Sequence, residues 1–390
     1  MLFSLEVMQA HEGDCLILHV GEKATPHFVV IDGGPSSVYA DILSPRLAAL
    51  RAAKYPDESL PIDYLVVTHV DEDHILGVLD LMQDLRDKAD NNVPLPYEVM
   101  SLWHNTFEES LGDARGQLFA AVGAAASVAV APASVSPAAI ANVGLPALAA
   151  SIAQGRKLYD MARRLDIGLN DEFATLVMYD PDEDNAIDLG DGATLTVVGP
   201  NAKSIEALRK KWKKAIDKAK DTGSNAAVVA AYTDRSVANL SSIAFMVECQ
   251  GKRMLLTGDA RGDRILKGMK GAGFLDGQRC SVDILKLPHH GSERNVKPEF
   301  FEKVWADHYV ISANGKHGNP DIGTLRMLSD ARTDDGFTLH LTNRTGKEGL
   351  GDKLKKFFAA EKADGRRYKV KYRRKTAESF KIDLLDKVTY

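Results

Sequence analysis

The chain has 390 residues and a mass of 42.5 kDa, and its 45% hydrophobic content can fill the core of one large domain with additions. With 49 Lys plus Arg against 54 Asp plus Glu the net charge is −5, which excludes a polycation acting through bulk charge. Three scattered cysteines, Cys15, Cys249 and Cys280, imply no disulfide framework and point to a reducing, cytoplasmic setting. Met1 to Met8 lacks the basic start and apolar core of a secretory signal. The longest weakly polar stretch, Leu118 to Ala131, falls short of the ~20 residues that span a bilayer, so no membrane role is expected.

Residues 1–35 predict an opening β-hairpin with its turn at Gly21 to Pro26, closing on Val30-Ile31-Asp32-Gly33-Gly34. Residues 39–54 predict a helix with Ile42, Leu43, Leu47 and Leu50 on one side. Pro61 to Thr68 predicts a buried strand, which runs into His69-Val70-Asp71-Glu72-Asp73-His74 and then a helix over Leu76 to Ala89. Leu102-Trp103-His104-Asn105 follows another strand, and residues 106–170 form an insertion rich in Ala, Ser, Val and Pro that closes with the amphipathic segment Ser151 to Leu165. Residues 202–235 read as a second insertion, helical and charged. Two further apolar strands follow: Lys252 to Gly258, ending in Asp259, and Val282 to Pro288, ending in His289-His290-Gly291-Ser292. Residues 337–390 predict a strand, a helix and a hairpin packed on the domain formed by residues 1–336.

Three strands therefore each end in a potential metal ligand, and the first supplies four within six residues. Imidazole nitrogen and carboxylate oxygen are donors that zinc, manganese and iron accept. Taken singly, each residue reads better as a solvated loop charge; it is their spacing, together with the residues downstream, that favours a divalent centre.

With H-V-D-E-D-H, L-L-T-G-D and P-H-H-G-S in this order, the chain resembles the metallo-β-lactamase superfamily over roughly residues 1–330. With Asp in the third position of the first motif, it looks like the ComEC-like metallo-β-lactamase domain of DNA-uptake competence proteins and its stand-alone relatives. Gly13-Asp14, Asn239 to Ser242, and Val310-Ile311-Ser312 leading to Gly318-Asn319-Pro320 extend the likeness, with Asn319 where a histidine is frequent. The resemblance implies an α/β fold, an αββα sandwich of two mixed sheets flanked by helices, with helical insertions at about 106–170 and 202–235. The first insertion would be a helical lid, with a linker or an oligomer contact as the other reading.

The resemblance also implies two divalent ions, zinc first and manganese or iron as alternatives favoured by the oxygen-rich Asp71. His69 and Asp71 would serve one ion, Asp73 and His74 the other, with Asp259 bridging and His290, or less favoured His289, completing the second site. Asp73 and His289 would act in catalysis, and Asp32 would hold a ligand imidazole from below. Two cations ~3.5–4 Å apart lower the pKa of a bridging water until hydroxide forms near neutrality. His104 and Asn105 are a further ligand or pocket residues, and Lys286, His317 and Asn319 belong to the cleft rim. His11, His19, His27, His308 and His340 stand alone and are treated as structural.

Two basic stretches bear on the substrate. Arg209 to Lys220 holds seven basic residues against Asp217 alone, with Trp212 among them. Lys347 to Lys375 holds twelve against four acidic ones, including Arg366, Arg367, Arg373 and Arg374 beside Tyr368 and Tyr372. Basic residues interleaved with aromatics suit a nucleic acid or nucleotide, while a solvated helix face and edge strand explain them equally well. The expected activity is a phosphodiesterase or nuclease. An esterase, lactonase or phosphocholine-type esterase is the alternative within enzymes, and a non-catalytic metal-binding sensor or partner subunit the alternative outside them.

Overall fold

The computed structural model describes residues 1–111, 153–222, 226–233, 239–277 and 279–390. Strands β1 (Leu2–Met8), β2 (Leu16–Gly21) and β3 (His27–Ile31) form an antiparallel meander whose second turn lies where residues 21–26 predict it. Parallel to β3 run β4 (Leu60–Val67), β5 (Tyr97–His104) and the short β6 (Gly168–Leu169). In the second sheet, β7 (Ala186–Gly190), β8 (Ala193–Gly199), β9 (Ala244–Cys249) and β10 (Lys252–Leu256) are antiparallel. Beyond them β11 (Cys280–Lys286), β12 (Val304–Ile311), β13 (Thr338–Leu341) and β14 (Lys369–Tyr372) run parallel to β10.

Side-chain alternation stacks these sheets into layers. Phe3, Leu5, Val7, Leu16, Leu18 and Val20 face Phe245, Val247, Met254, Leu256 and Val310 in a core between the sheets. The intervening Ile17, Phe28 and Val30 point the other way, toward helices Ser44–Lys54 and Glu72–Asp90. Leu255, Tyr309 and Ile311 likewise turn outward, toward helices Gly262–Gly271, Pro298–Lys303, Ile322–Ala331 and Leu350–Ala363. A strand apolar on both faces must be covered on both, so these three cores define four layers, an αββα arrangement of two mixed sheets. Each fully buried aliphatic side chain contributes ~1.5–3 kcal/mol.

The predicted helices form, with shifts at their starts. Ile42, Leu43, Leu47 and Leu50 are buried as expected, the first two on a π-helical turn, Tyr39–Leu43, that leads into the α-helix. The helix after the first loop starts at Glu72, before the expected Leu76, and places Glu72 and Asp73 in its first turn, where carboxylates complement the helix dipole. Of the first insertion, residues 153–164 are helical and bury Leu158, Met161 and Ala162 in the helix-side core; the Ala-rich tract lies outside the described residues. The second insertion contains helices Ala202–Thr222 and Ala226–Thr233. No helix among the described residues is long and apolar enough to cross a membrane.

The C-terminal segment differs from expectation. In place of a hairpin, β14 ends the eight-stranded sheet while β15 (Ser379–Asp383) pairs antiparallel with β1 at the edge of the seven-stranded one. Ile382 enters the inter-sheet core. Arg373 holds the corner, donating from Nε to the Thr342 carbonyl at 3.2 Å and from a second nitrogen to the Ala377 carbonyl. Residues 337–390 thus tie the two sheets together.

Glu6, fully buried on β1, anchors this edge. It accepts hydrogen bonds from His19 Nε2 and Arg46 Nε, each at 3.0 Å, and from Ser379 Oγ. Burial pushes its carboxyl up, but the His19 hydrogen bond and the Arg46 charge override this and bring it from 4.5 to about 2. A folded pKa below the unfolded one means stability that is present above 4.5 and lost as pH falls toward 2, about 3 kcal/mol in all. Glu6→Gln is therefore expected to flatten the acid limb of the stability curve, read from urea unfolding across that interval. An unchanged acid limb would mean that other carboxylates carry it.

Candidate metal centre

The carboxyl ends of the parallel strands in both sheets open onto one edge, where residues on several loops can converge. Glycines let the loops close. A Cβ at Gly77 would lie 2.0 Å from the Gly33 carbonyl oxygen, and one at Gly13 would lie 1.8 Å from the Asp73 carbonyl oxygen. Only glycine permits such approaches, through which Gly33 N–H reaches the His74 carbonyl at 2.8 Å and Asp14 N–H the Asp73 carbonyl at 3.2 Å. Asp32, His289 and His290 hold left-handed φ angles of 57°, 47° and 55°. Non-glycine residues so placed cost ~1–3 kcal/mol each and mark a site where geometry matters more than local comfort.

Four imidazoles share one pattern. His69 Nδ1 lies 3.1 Å from Thr68 Oγ1, and His74 Nδ1 lies 2.7 Å from Asp32 Oδ2. His290 Nδ1 lies 3.0 Å from the Ser312 carbonyl oxygen, and His289 Nδ1 lies 2.8 Å from Asn295 Oδ1 and 3.0 Å from Asn239 Nδ2. Each ring therefore has its Nδ1 engaged and presents Nε2 to Asp259. Asp259 Oδ1 is 3.5 Å from His74 Nε2 and 3.6 Å from His290 Nε2; Oδ2 is 3.7 Å from His69 Nε2 and 3.5 Å from His289 Nε2. One carboxylate thus divides four histidines into two pairs. Asp71 Oδ2 joins the first at 3.6 Å from His69, and Asp73 Oδ2 the second at 3.6 Å from His290.

Asp14, from the loop between β1 and β2, adds a third carboxylate to the second group. Asp14, His74, Asp259 and His290 each offer a ligand atom, all within 4.8 Å of one another. Lys286, expected at the cleft rim, is fully buried instead, with Nζ 2.5 Å from Asp14 Oδ2 and 3.1 Å from the Leu287 carbonyl oxygen. The other Asp14 oxygen, Asp259 Oδ1 and His69 Nε2 are buried without a hydrogen-bond partner. Burial lowers the proton affinity of His74, but Asp32 and Asp259 outweigh it and raise its pKa well above the usual histidine range; Asp259 and Asp14 likewise bring His290 up to about 10. Five aspartates against one lysine make a cluster that calls for positive charge, and the orphaned donors fit divalent cations, which would displace those protons.

The remaining expected residues fall elsewhere. Asp32 lies beneath the loop as anticipated, accepting also from Thr68 N and Oγ1 at 2.8 and 2.7 Å. Asn319 is buried, 3.4 Å from the His289 carbonyl oxygen, while His317 lies exposed on the turn Lys316–Gly318. Asn105 is a clamp between loops, bonding Val177 N–H at 2.8 Å and the Val177 carbonyl at 2.9 Å. His104 lies outside the cluster and is buried; burial lowers its pKa to about 4, against a hydrogen bond with the Val67 backbone that raises it. Trp212 is buried on the apolar face of its helix with Ile205, Leu208 and Ile216, and so is closed to stacking with a base. Arg366 bonds the Ser329 carbonyl at 2.9 Å and pairs with Asp335 at 3.0 Å, and Tyr368 stacks on Phe337 at 4.5 Å. With Arg373 also committed, Arg367 and Arg374 are left as the exposed arginines of that set.

An αββα sandwich of two mixed sheets carrying a His/Asp cluster at the carboxyl ends of its strands is the metallo-β-lactamase architecture. Residues 27–113, which include β3, β4 and the whole His69–His74 loop, match the family model described as the metallo-beta-lactamase superfamily, whose members are mostly metal-dependent hydrolases. No curated protein matches the chain.

Proposed function

We propose that the protein is a dinuclear metal-dependent hydrolase acting on phosphodiesters. The observation that carries this reading is the partition of four Nδ1-anchored imidazoles about the two oxygens of Asp259. His69, Asp71 and His289 would hold one ion; His74, Asp73, His290 and Asp14 would hold the other. This moves His289 from the separate catalytic role that the resemblance implies into the ligand set. A pair of divalent cations supplies an acidified water and charge stabilisation for the attacked group. The protein's own part is to orient: Thr68, Asp32, Ser312, Asn239 and Asn295 fix the rings, and Asp73 can take up the proton that the attacking water gives up.

The phosphodiester assignment rests on charge. Helix Ala202–Thr222 buries an apolar stripe and turns Arg209, Lys210, Lys213, Lys214 and Lys218 outward, a face suited to a polyanion. Metal analysis of chelator-free protein is expected to find close to two equivalents per chain, and stripping with EDTA should abolish turnover of bis(4-nitrophenyl) phosphate until zinc, manganese or iron(II) is restored. Less than about half an equivalent of any transition metal would overturn the dinuclear centre. Turnover of lactones or neutral esters without that of diesters would transfer the assignment to the esterase class.

A further inference from the structure

The two proposed ion positions are not built alike. Besides Asp259, which they share, the first has three donors, His69, Asp71 and His289, and the second has four, His74, Asp73, His290 and Asp14. The most exposed side chain of the first set is Asp71 at 21%, and that of the second is Asp73 at 11%, while Asp14 and His290 are each 2% exposed. The second set therefore lies deeper, and with Asp259 it offers three carboxylates against two.

Asp14 makes that difference, and its loop is tied to the other ligands of the same set. Its backbone N–H reaches the Asp73 carbonyl at 3.2 Å. The Gly13 carbonyl accepts from Ser312 Oγ at 2.6 Å, while the Ser312 carbonyl oxygen lies 3.0 Å from His290 Nδ1. Lys286 Nζ engages one oxygen of the Asp14 carboxylate at 2.5 Å; the other is buried without a hydrogen-bond partner, 3.5 Å from His290 Nδ1. Lys286 thus offsets part of the repulsion among the gathered aspartates and leaves one Asp14 oxygen aimed at the ligand atoms of His74, Asp259 and His290. Affinity for a divalent cation rises with the number of charged oxygens and with the rigidity of the site.

We propose that the two ions are held unequally. Asp14, fixed by Lys286, makes the second position the one that retains its ion, and the first position, open past Asp71, is the one that exchanges with solvent. Metal supply then acts through the first position to decide whether the centre is complete. The proposal rests on the dinuclear reading above and adds to it an order of loading.

The test is retention of zinc by full-length, zinc-loaded protein dialysed against buffers of graded free zinc set with nitrilotriacetate, read by elemental analysis. Two steps are expected, the first equivalent leaving at a free-zinc concentration ~10-fold or more above the second, an effect of the size that a single partner of a metal site typically carries. Asp71→Asn should weaken the readily lost equivalent alone. Asp14→Asn, combined with Lys286→Met so that no buried charge is stranded, should weaken the retained equivalent by ~10–100-fold and bring the two steps together. Two equivalents leaving the parent in one step would overturn this proposal alone, and that measurement needs no variant. A weakened retained equivalent in Asp71→Asn, or an unchanged one in the double variant, would overturn it too. Less than about half an equivalent of metal in the parent would overturn the dinuclear reading and the proposal with it.

Discussion

Replacing Asp259 by alanine is expected to take the protein from about two bound metal equivalents to one or fewer and to lower turnover by well over ~100-fold. That exceeds the ~10–100-fold that changing an outer partner of a metal ligand usually costs. The reason is geometric: the two oxygens of Asp259 face two different histidine pairs at 3.5–3.7 Å, so no neighbour can replace it on both sides at once. Asp32→Asn supplies the contrast. It keeps the shape beneath His74 but weakens the 2.7 Å contact that orients the ring, and should fall within the smaller range. Elemental analysis with steady-state kinetics on the two variants decides it. Equal losses would mean that Asp259 is no bridge.

The second large effect is on stability. Lys286 and Asp14 form an ion pair whose side chains are 1% and 2% exposed, far from the solvent that weakens surface pairs. Lys286→Met keeps the bulk but strands the Asp14 carboxylate beside Asp73 and Asp259, and truncating one member of a buried pair typically costs ~3–5 kcal/mol. Removing the stranded charge as well, in Lys286→Met with Asp14→Asn, should recover much of that loss, since the cost lies in the unpaired charge. Denaturant unfolding of both variants provides the measurement. A single variant as stable as the parent, or a double variant no better than the single, would show that the pair is not what steadies the loop.

Much of the centre was legible because its determinants are local. His69, Asp71, Asp73 and His74 sit within one loop, and Asp259, His289 and His290 each follow an apolar run that only a buried strand explains. Asp14 was harder to find. An aspartate after glycine in a turn reads as ordinary turn chemistry, and its one signal was the Gly13-Asp14 likeness to the superfamily. The basic C-terminal stretch misled for a related reason. Arg366 looks free for phosphate until the carbonyls of Ser329 and Arg332, more than thirty residues earlier, are seen to hold it.

The sequence by itself determined which residues stand at the ends of the strands and which faces meet a core, because strand alternation and strand-end position are properties of a few consecutive residues. Tertiary structure alone decided how those residues share their work. It set Asp259 between two pairs of imidazoles, gave each ring its Nδ1 partner, buried Lys286 under Asp14 and sent β14 and β15 to different sheets. These outcomes depend on contacts between segments as far apart as Asp14 and Lys286, 272 positions along the chain. Such contacts follow from how two sheets and their helices pack as a whole, and no local pattern encodes them.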